Sequence, residues 1–196
     1  FPEGAPESGP PLEDMLAAAP DPNAGAWARF VNGGAERAER LVGNIGYLSV
    51  MGMPDLVGGD ERALAAIDFV RETDALILDL SHCGGGDPGM AGFYQSLLTD
   101  GQARTYARFE WRSGAPALAL TTPALERTQI YDPSKPLFVL IGEDTASACE
   151  ELAFNLAERG RATFVGATTM GAANPGRIVR VGERIGLFMP SARYVS

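Results

Sequence analysis

From residue 44 onward, short apolar runs alternate with longer segments of helical period. Residues 45–50 (IGYLSV) read as a strand. Residues 60–72 (DERALAAIDFVRE) place Leu64, Ile67, Phe69 and Val70 at mostly helical spacing behind an acidic start, which predicts a helix. Residues 75–80 (ALILDL) form a nearly continuous apolar run, the pattern of a strand buried on both faces. A helix is expected over 88–98, strands over 105–111 and 115–120, and a second buried strand over 136–141 (PLFVLI). The next helix, over 146–158, is stopped by Gly160. A short strand over 162–166 and a late pair over 177–181 and 185–190 complete the body. Such alternation implies right-handed crossovers and a largely parallel sheet with helices packed against it, an α/β architecture.

The first part of the chain follows different rules. Residues 1–24 hold six prolines and little hydrophobic periodicity, so they read as a mobile arm with a short helical turn around 12–18. Residues 25–43 carry Trp27, Phe30, Val31 and Leu41 among arginines and glutamates and lead into a single domain over 44–196. No internal repeat or sustained heptad is present.

Composition narrows the function. The chain has 196 residues, 45% of them hydrophobic and 21% charged, enough to build one globular core. Sixteen Lys+Arg against 25 Asp+Glu give a net charge of −9, which argues against a nucleic-acid or anionic-membrane surface. No apolar run approaches the roughly 18–20 residues of a membrane span, and no charged-then-apolar signal segment opens the chain, as a mature protein would also show. Only one histidine, His82, and one lysine, Lys135, are available as bases near neutral pH. The two cysteines, Cys83 and Cys149, fit no Cys-x-x-Cys pattern and form no zinc set; no metal or cofactor is expected.

Candidate chemistry gathers where the two buried strands end. ALILDL runs on into Ser81-His82-Cys83-Gly84-Gly85-Gly86, and PLFVLIG into Glu143-Asp144-Thr145-Ala146-Ser147. In an open α/β sheet, ligands collect outside the carboxyl ends of the strands. Glycines leave the backbone bare to a close approach, and Ser147 opens a helix whose free N–H groups favour negative charge. An oxyanion formed beside Ser147 would then be held by the Ala148 N–H and a glycine N–H from the loop, Gly84 or Gly85. The same letters have plainer readings. Ser147 and Glu150 spell a Ser-x-x-Glu capping box, and a glycine run is commonly a turn. Neither signal is specific alone; their joint placement after two buried strands is more so.

Four segments together carry a resemblance: GNIGYLSV (43–50), ALILDLSHCGGG (75–86), TASACEELAFNLAERGRATFVG (145–166) and ATTMGAANPG (167–176). They resemble the entrance strand, the Asp-Leu-Arg-x-x-Gly-Gly segment, the nucleophile helix and the Gly-Glu-x-Thr-x-Gly turn of the C-terminal-processing (tail-specific) serine peptidases. The match is to the branch related to interphotoreceptor retinoid-binding protein and spans about residues 41–190. The resemblance implies a ClpP/crotonase-like fold, a Ser147 nucleophile, an oxyanion hole from the glycine loop and Ala148, and a polypeptide substrate engaged near its C-terminus. It also implies export to the periplasm or beyond.

Departures from the family pattern concern the base. The Ser–Lys enzymes carry lysine directly after the Thr-x-Gly turn; here Thr169-Met170-Gly171 is followed by Ala172. Lys135 precedes the strand that leads to Ser147, which puts it roughly 20 Å away at about 3.3 Å per strand residue. The tricorn-like branch takes a histidine from the entrance strand, where this chain has Ser49, and a glutamate from a later segment. The chain stops at Ser196, where relatives are expected to continue, so the domain is expected to be truncated at its C-terminus. Ser81 and Ala167 replace the family's usual Arg and Glu. His82 is then the base candidate on the active edge, against a loop histidine satisfied by backbone. Cys83 and Cys149 flank the same site, as small core residues or as a disulfide if the loops abut. Cys149 falls inside the helix and is the weaker nucleophile.

Three functions compete. The first is a serine peptidase or related amidase. The second is a non-catalytic domain of the same fold that binds an apolar ligand, a retinoid or fatty acid, or a peptide terminus. The third, a crotonase-type acyl-thioester enzyme, lacks an acidic catalytic pair and a nucleotide motif.

Overall fold

A computed structural model describes residues 24–180 and 185–196. The Pro-rich arm and its helical turn lie outside the described residues. A short helix, α1 (Ala24–Phe30), and a 3-10 turn (Asn32–Gly34) precede strand β1 (Ala35–Leu41). The order then runs β2 (Ile45–Val50), α2 (Leu56–Val70), β3 (Ala75–Asp79), α3 (Pro88–Leu98), β4 (Arg104–Trp111), β5 (Leu118–Thr122) and β6 (Leu137–Ile141). It continues through α4 (Ala148–Glu158), β7 (Thr163–Gly166), β8 (Gly176–Arg180), β9 (Gly186–Pro190) and β10 (Ala192–Val195).

The main sheet has the order β1-β2-β3-β6-β7. β1 joins β2 antiparallel, and β2, β3, β6 and β7 are parallel neighbours in register, Leu48 opposite Leu78 and Leu78 opposite Val139. This is the mixed, largely parallel α/β sheet expected from the alternation. A second sheet, β10-β4-β5, and the antiparallel β8–β9 pair sit apart from it. Helices α2, α3 and α4 bury Ile67, Leu97 and Leu152 in one cluster with Leu48, Leu78 and Val139, all fully inaccessible. Each such side chain contributes about 1.5–3 kcal/mol of hydrophobic stabilisation.

The expectation of burial on both faces fails for β3 and β6. Ile77 and Asp79 are half-buried and Phe138 is exposed, because the described helices pack on the Leu78 side and no described element covers the other. Tyr47 and Asp79 use that open face: the Tyr47 hydroxyl donates to the Asp79 carboxylate at 2.6 Å. Burial works to raise Asp79's pKa, but hydrogen bonds from Ser81 and Tyr47 outweigh it and hold the group below its ordinary range.

Helix α3 starts where its sequence dictates. Pro88 occupies the first turn, where its missing N–H costs nothing, and the Asp87 side chain accepts from the Gly89 N–H at 2.8 Å. The other Asp87 oxygen accepts from the Leu56 N–H at 2.9 Å, tying the start of α2 to the start of α3.

Candidate active site

β3 and β6 are adjacent in the sheet, so the loops after them share one edge. Hydrogen bonds join them: Ala146 N–H donates to Cys83 O at 2.9 Å, and Thr145 Oγ1 donates to Leu80 O at 2.7 Å. Cys83 and Cys149 form a disulfide with a Cα–Cα distance of 5.9 Å, so the glycine loop is also covalently stapled to the first turn of α4. On its other side the loop runs alongside residues 51–53. Met53 N–H donates to Gly85 O at 2.8 Å and Asp87 N–H to Met53 O at 2.6 Å.

Glycine is demanded at two of these positions. A Cβ at Gly86 would sit 1.9 Å from Met53 O, and one at Gly85 would sit 2.5 Å from the Ser147 Cβ. Gly85 and Gly86 also have positive φ, 98° and 139° respectively. Gly85 therefore lies directly against Ser147, as the two-loop argument requires.

Ser147 itself is strained. Its φ of 53° and ψ of −125° are a conformation that a residue with a Cβ rarely adopts, at a cost on the order of 1–3 kcal/mol. A serine held so at a sharp strand-to-helix turn projects its hydroxyl away from the backbone, as in a nucleophile elbow. Half-buried Ser147 lines a cavity of about 410 Å³ with Gly84, Ala148, Phe109, Met170 and Ala172.

The predicted oxyanion donors separate on inspection. The Gly84 N–H donates to Met51 O at 3.2 Å and is already spent. The Gly85 and Ala148 N–H groups have no acceptor among the described residues and remain for a ligand. The Ser-x-x-Glu motif does act as a cap, since the Glu150 carboxylate accepts from the Ser147 N–H at 2.9 Å. It also accepts from Thr169 Oγ1, Gly171 N–H and Ala172 N–H, each at 2.7 Å. One buried carboxylate thus locks the late turn onto the serine loop, and capping and site assembly are a single device.

His82 is not brought into the cavity. Its Nδ1 lies 3.0 Å from Asp144 Oδ2, both side chains about two-thirds exposed, and it does not line the space around Ser147. Lys135 lies at the opposite end of β6, donating to Arg71 O at 2.9 Å and stacked over Tyr131, as its position in the chain requires. Glu151, which no sequence motif singles out, does line the cavity. It is 3% exposed and accepts from the Tyr106 hydroxyl. Burial, helped by the negative charge of Asp87 and opposed by the Tyr106 hydrogen bond, pushes its pKa up to about 7. A consecutive Glu150-Glu151 pair after a cap looks like ordinary compensation of the helix dipole. Its one sequence signal is that Glu151 falls four residues after Ser147.

The family model of Peptidase family S41 matches residues 44–196. The chain belongs to that family. Among solved structures it is similar to a photosystem II D1 C-terminal processing protease, with 22% identity and a TM-score of 0.59 over 79% of this chain and 39% of that one. It is also similar to a lipoprotein from Streptococcus agalactiae, with 19% identity and a TM-score of 0.59 over 81% of this chain and 58% of that one. Mature CPAF matches at 17% identity and a TM-score of 0.56, over 97% of this chain and 53% of its own. At these identities the likeness is one of fold. The chain spans less than two thirds of the length of each of these three structures.

Proposed function

We propose that the protein is a serine peptidase whose Ser147 Oγ attacks the carbonyl carbon of a polypeptide bound across the cavity. The carbonyl oxygen becomes an oxyanion, held by the Gly85 and Ala148 N–H groups at the positive end of α4. Collapse of that intermediate releases the amine and leaves an acyl-Ser147 ester, which water hydrolyses. The observation that carries this reading is the strained backbone of Ser147, at a φ of 53°, set against Gly85 inside an open cavity. Family membership supports a polypeptide substrate, and the likeness to a C-terminal processing protease supports a C-terminal segment as the target. The Cys83–Cys149 disulfide supports an oxidising, periplasmic or secreted, location. A fluorophosphonate tests the reading: one covalent adduct is expected, lost in Ser147→Ala. No adduct under conditions that label a related S41 peptidase overturns it.

A second reading has its own observation. Beside the serine cavity lies a larger one of about 690 Å³, lined by Ile141, Phe154, Phe164 and Val195 among others. It suits an apolar ligand such as a retinoid or fatty acid, or an apolar side chain of a peptide terminus. Saturable binding of a fluorescent fatty acid, weakened in Phe154→Asp, supports this reading, and no binding removes it.

A further inference from the structure

We infer that the carboxyl group of Glu151 is the proton carrier for Ser147, taking the hydroxyl proton directly or through one water. This inference rests on the peptidase reading and supplies the base that His82 and Lys135 do not provide.

Ser147 caps α4 and Glu151 follows four residues later, with the Glu151 N–H donating to Ser147 O at 3.0 Å. Helical side chains lean toward the helix N-terminus, which tips the Glu151 side chain toward the Ser147 end of α4. Both residues line the same cavity. Glu151 also lines the neighbouring apolar cavity, so it stands in the wall between the two.

The groups that face Glu151 make it a proton carrier and not a structural anion. Tyr106 reaches it from β4 with a hydrogen bond, Tyr194 adjoins it from β10, Asp87 stands ahead of α3, and Glu150 precedes it on its own helix. The charged member of that set facing it from another element is a second acid, so among the described residues no cation pairs with Glu151, and only the Tyr106 hydrogen bond favours its ionised form against burial. Burial raises its pKa to about 7, where an acid–base group works best at neutral pH. Tyr106 has an alternative acceptor, Pro88 O at 3.5 Å. Its hydroxyl can donate to ionised Glu151, or turn to Pro88 and accept from the protonated form.

The cycle balances. As the Ser147 Oγ–carbon bond forms, the Oγ proton passes to the Glu151 carboxylate and the carbonyl π pair moves onto oxygen. When the carbon–nitrogen bond breaks, the carboxylic acid returns that proton to the leaving amine. In deacylation the carboxylate takes a proton from water and returns it to Ser147 Oγ as the ester cleaves.

The test is the rate of fluorophosphonate labelling of Ser147 against pH, in wild type, Glu151→Gln and Tyr106→Phe, with circular dichroism confirming the fold of each. Wild type is expected to gain rate through a midpoint near pH 7. Glu151→Gln is expected to label at least ~100-fold more slowly and to lose the pH step. Tyr106→Phe removes a bond that lowers the Glu151 pKa, so its midpoint moves upward. That variant carries the test if Glu151→Gln does not fold. Wild-type-like labelling with an unshifted midpoint in a folded Glu151→Gln, or an unmoved midpoint in Tyr106→Phe, overturns the Glu151 assignment and leaves the peptidase reading standing. Absence of labelling in wild type at every pH overturns both.

Discussion

The disulfide offers the most quantitative prediction of the fold. Cys83 and Cys149 are 66 residues apart, and their bond ties the glycine loop to α4. Closing a loop of that length removes chain entropy from the unfolded state worth about 4 kcal/mol at 25 °C in the loop-entropy model. For a domain of this size each kcal/mol moves Tm by about 2–4 °C, so reduction is expected to lower Tm by roughly 8–16 °C. The assay is thermal unfolding followed by circular dichroism, with and without phosphine reductant, beside a Cys83→Ser/Cys149→Ser double variant. Intact mass after denaturing alkylation reports whether the bond is present. The hydrogen bonds from the Ala146 N–H to Cys83 O and from the Thr145 hydroxyl to Leu80 O survive reduction, so serine labelling well below the melting temperature persists. A Tm shifted by less than about 2 °C, with the bond shown to be present and then reduced, would refute the reasoning.

Three further outcomes follow from the site. Gly85→Ala forces a Cβ to within 2.5 Å of Ser147 at a φ of 98°. It should cost about 2–3 kcal/mol in chemical denaturation and abolish serine labelling; a stable, labelled variant would contradict the packing described. Ser147→Gly removes the penalty of a positive φ and should be more stable than Ser147→Ala by about 1 kcal/mol in the same assay, while neither labels. Glu151 has a folded pKa of about 7, raised above its ordinary 4.5, so the native state holds a proton that the unfolded chain releases. Stability therefore falls as pH rises from 4.5 through 7, by about 3 kcal/mol in total, and levels off above that range. The wild-type minus Glu151→Gln difference in unfolding free energy isolates this slope, and a flat difference across the range would exclude it.

Much of this molecule is written in local pattern. The strand IGYLSV and the helix over 88–98 form with the bounds their residues predict, because an apolar run and a Pro-led turn with an Asp cap are local signals. β1 is harder to see. Its sequence, AERAERL, spaces its alanines like a helix and becomes a strand only by pairing antiparallel with the edge of β2. β10 is four residues long and is defined by its pairing to β4. The meeting of the glycine loop and Ser147 was legible, since two buried strands announced a shared edge. Which amides stay free was not, because the Gly84 N–H is taken by Met51, a contact no spacing encodes. Glu151 was hidden for the same reason: its burial depends on Tyr106, 45 residues earlier in the chain.

The central claim is that Ser147 is a nucleophile. Mapping a fluorophosphonate adduct by peptide mass spectrometry tests it most directly. A single modified peptide is expected, with the label on Ser147 and absent from Ser147→Ala. An adduct on another residue, or one that persists in Ser147→Ala, would contradict it.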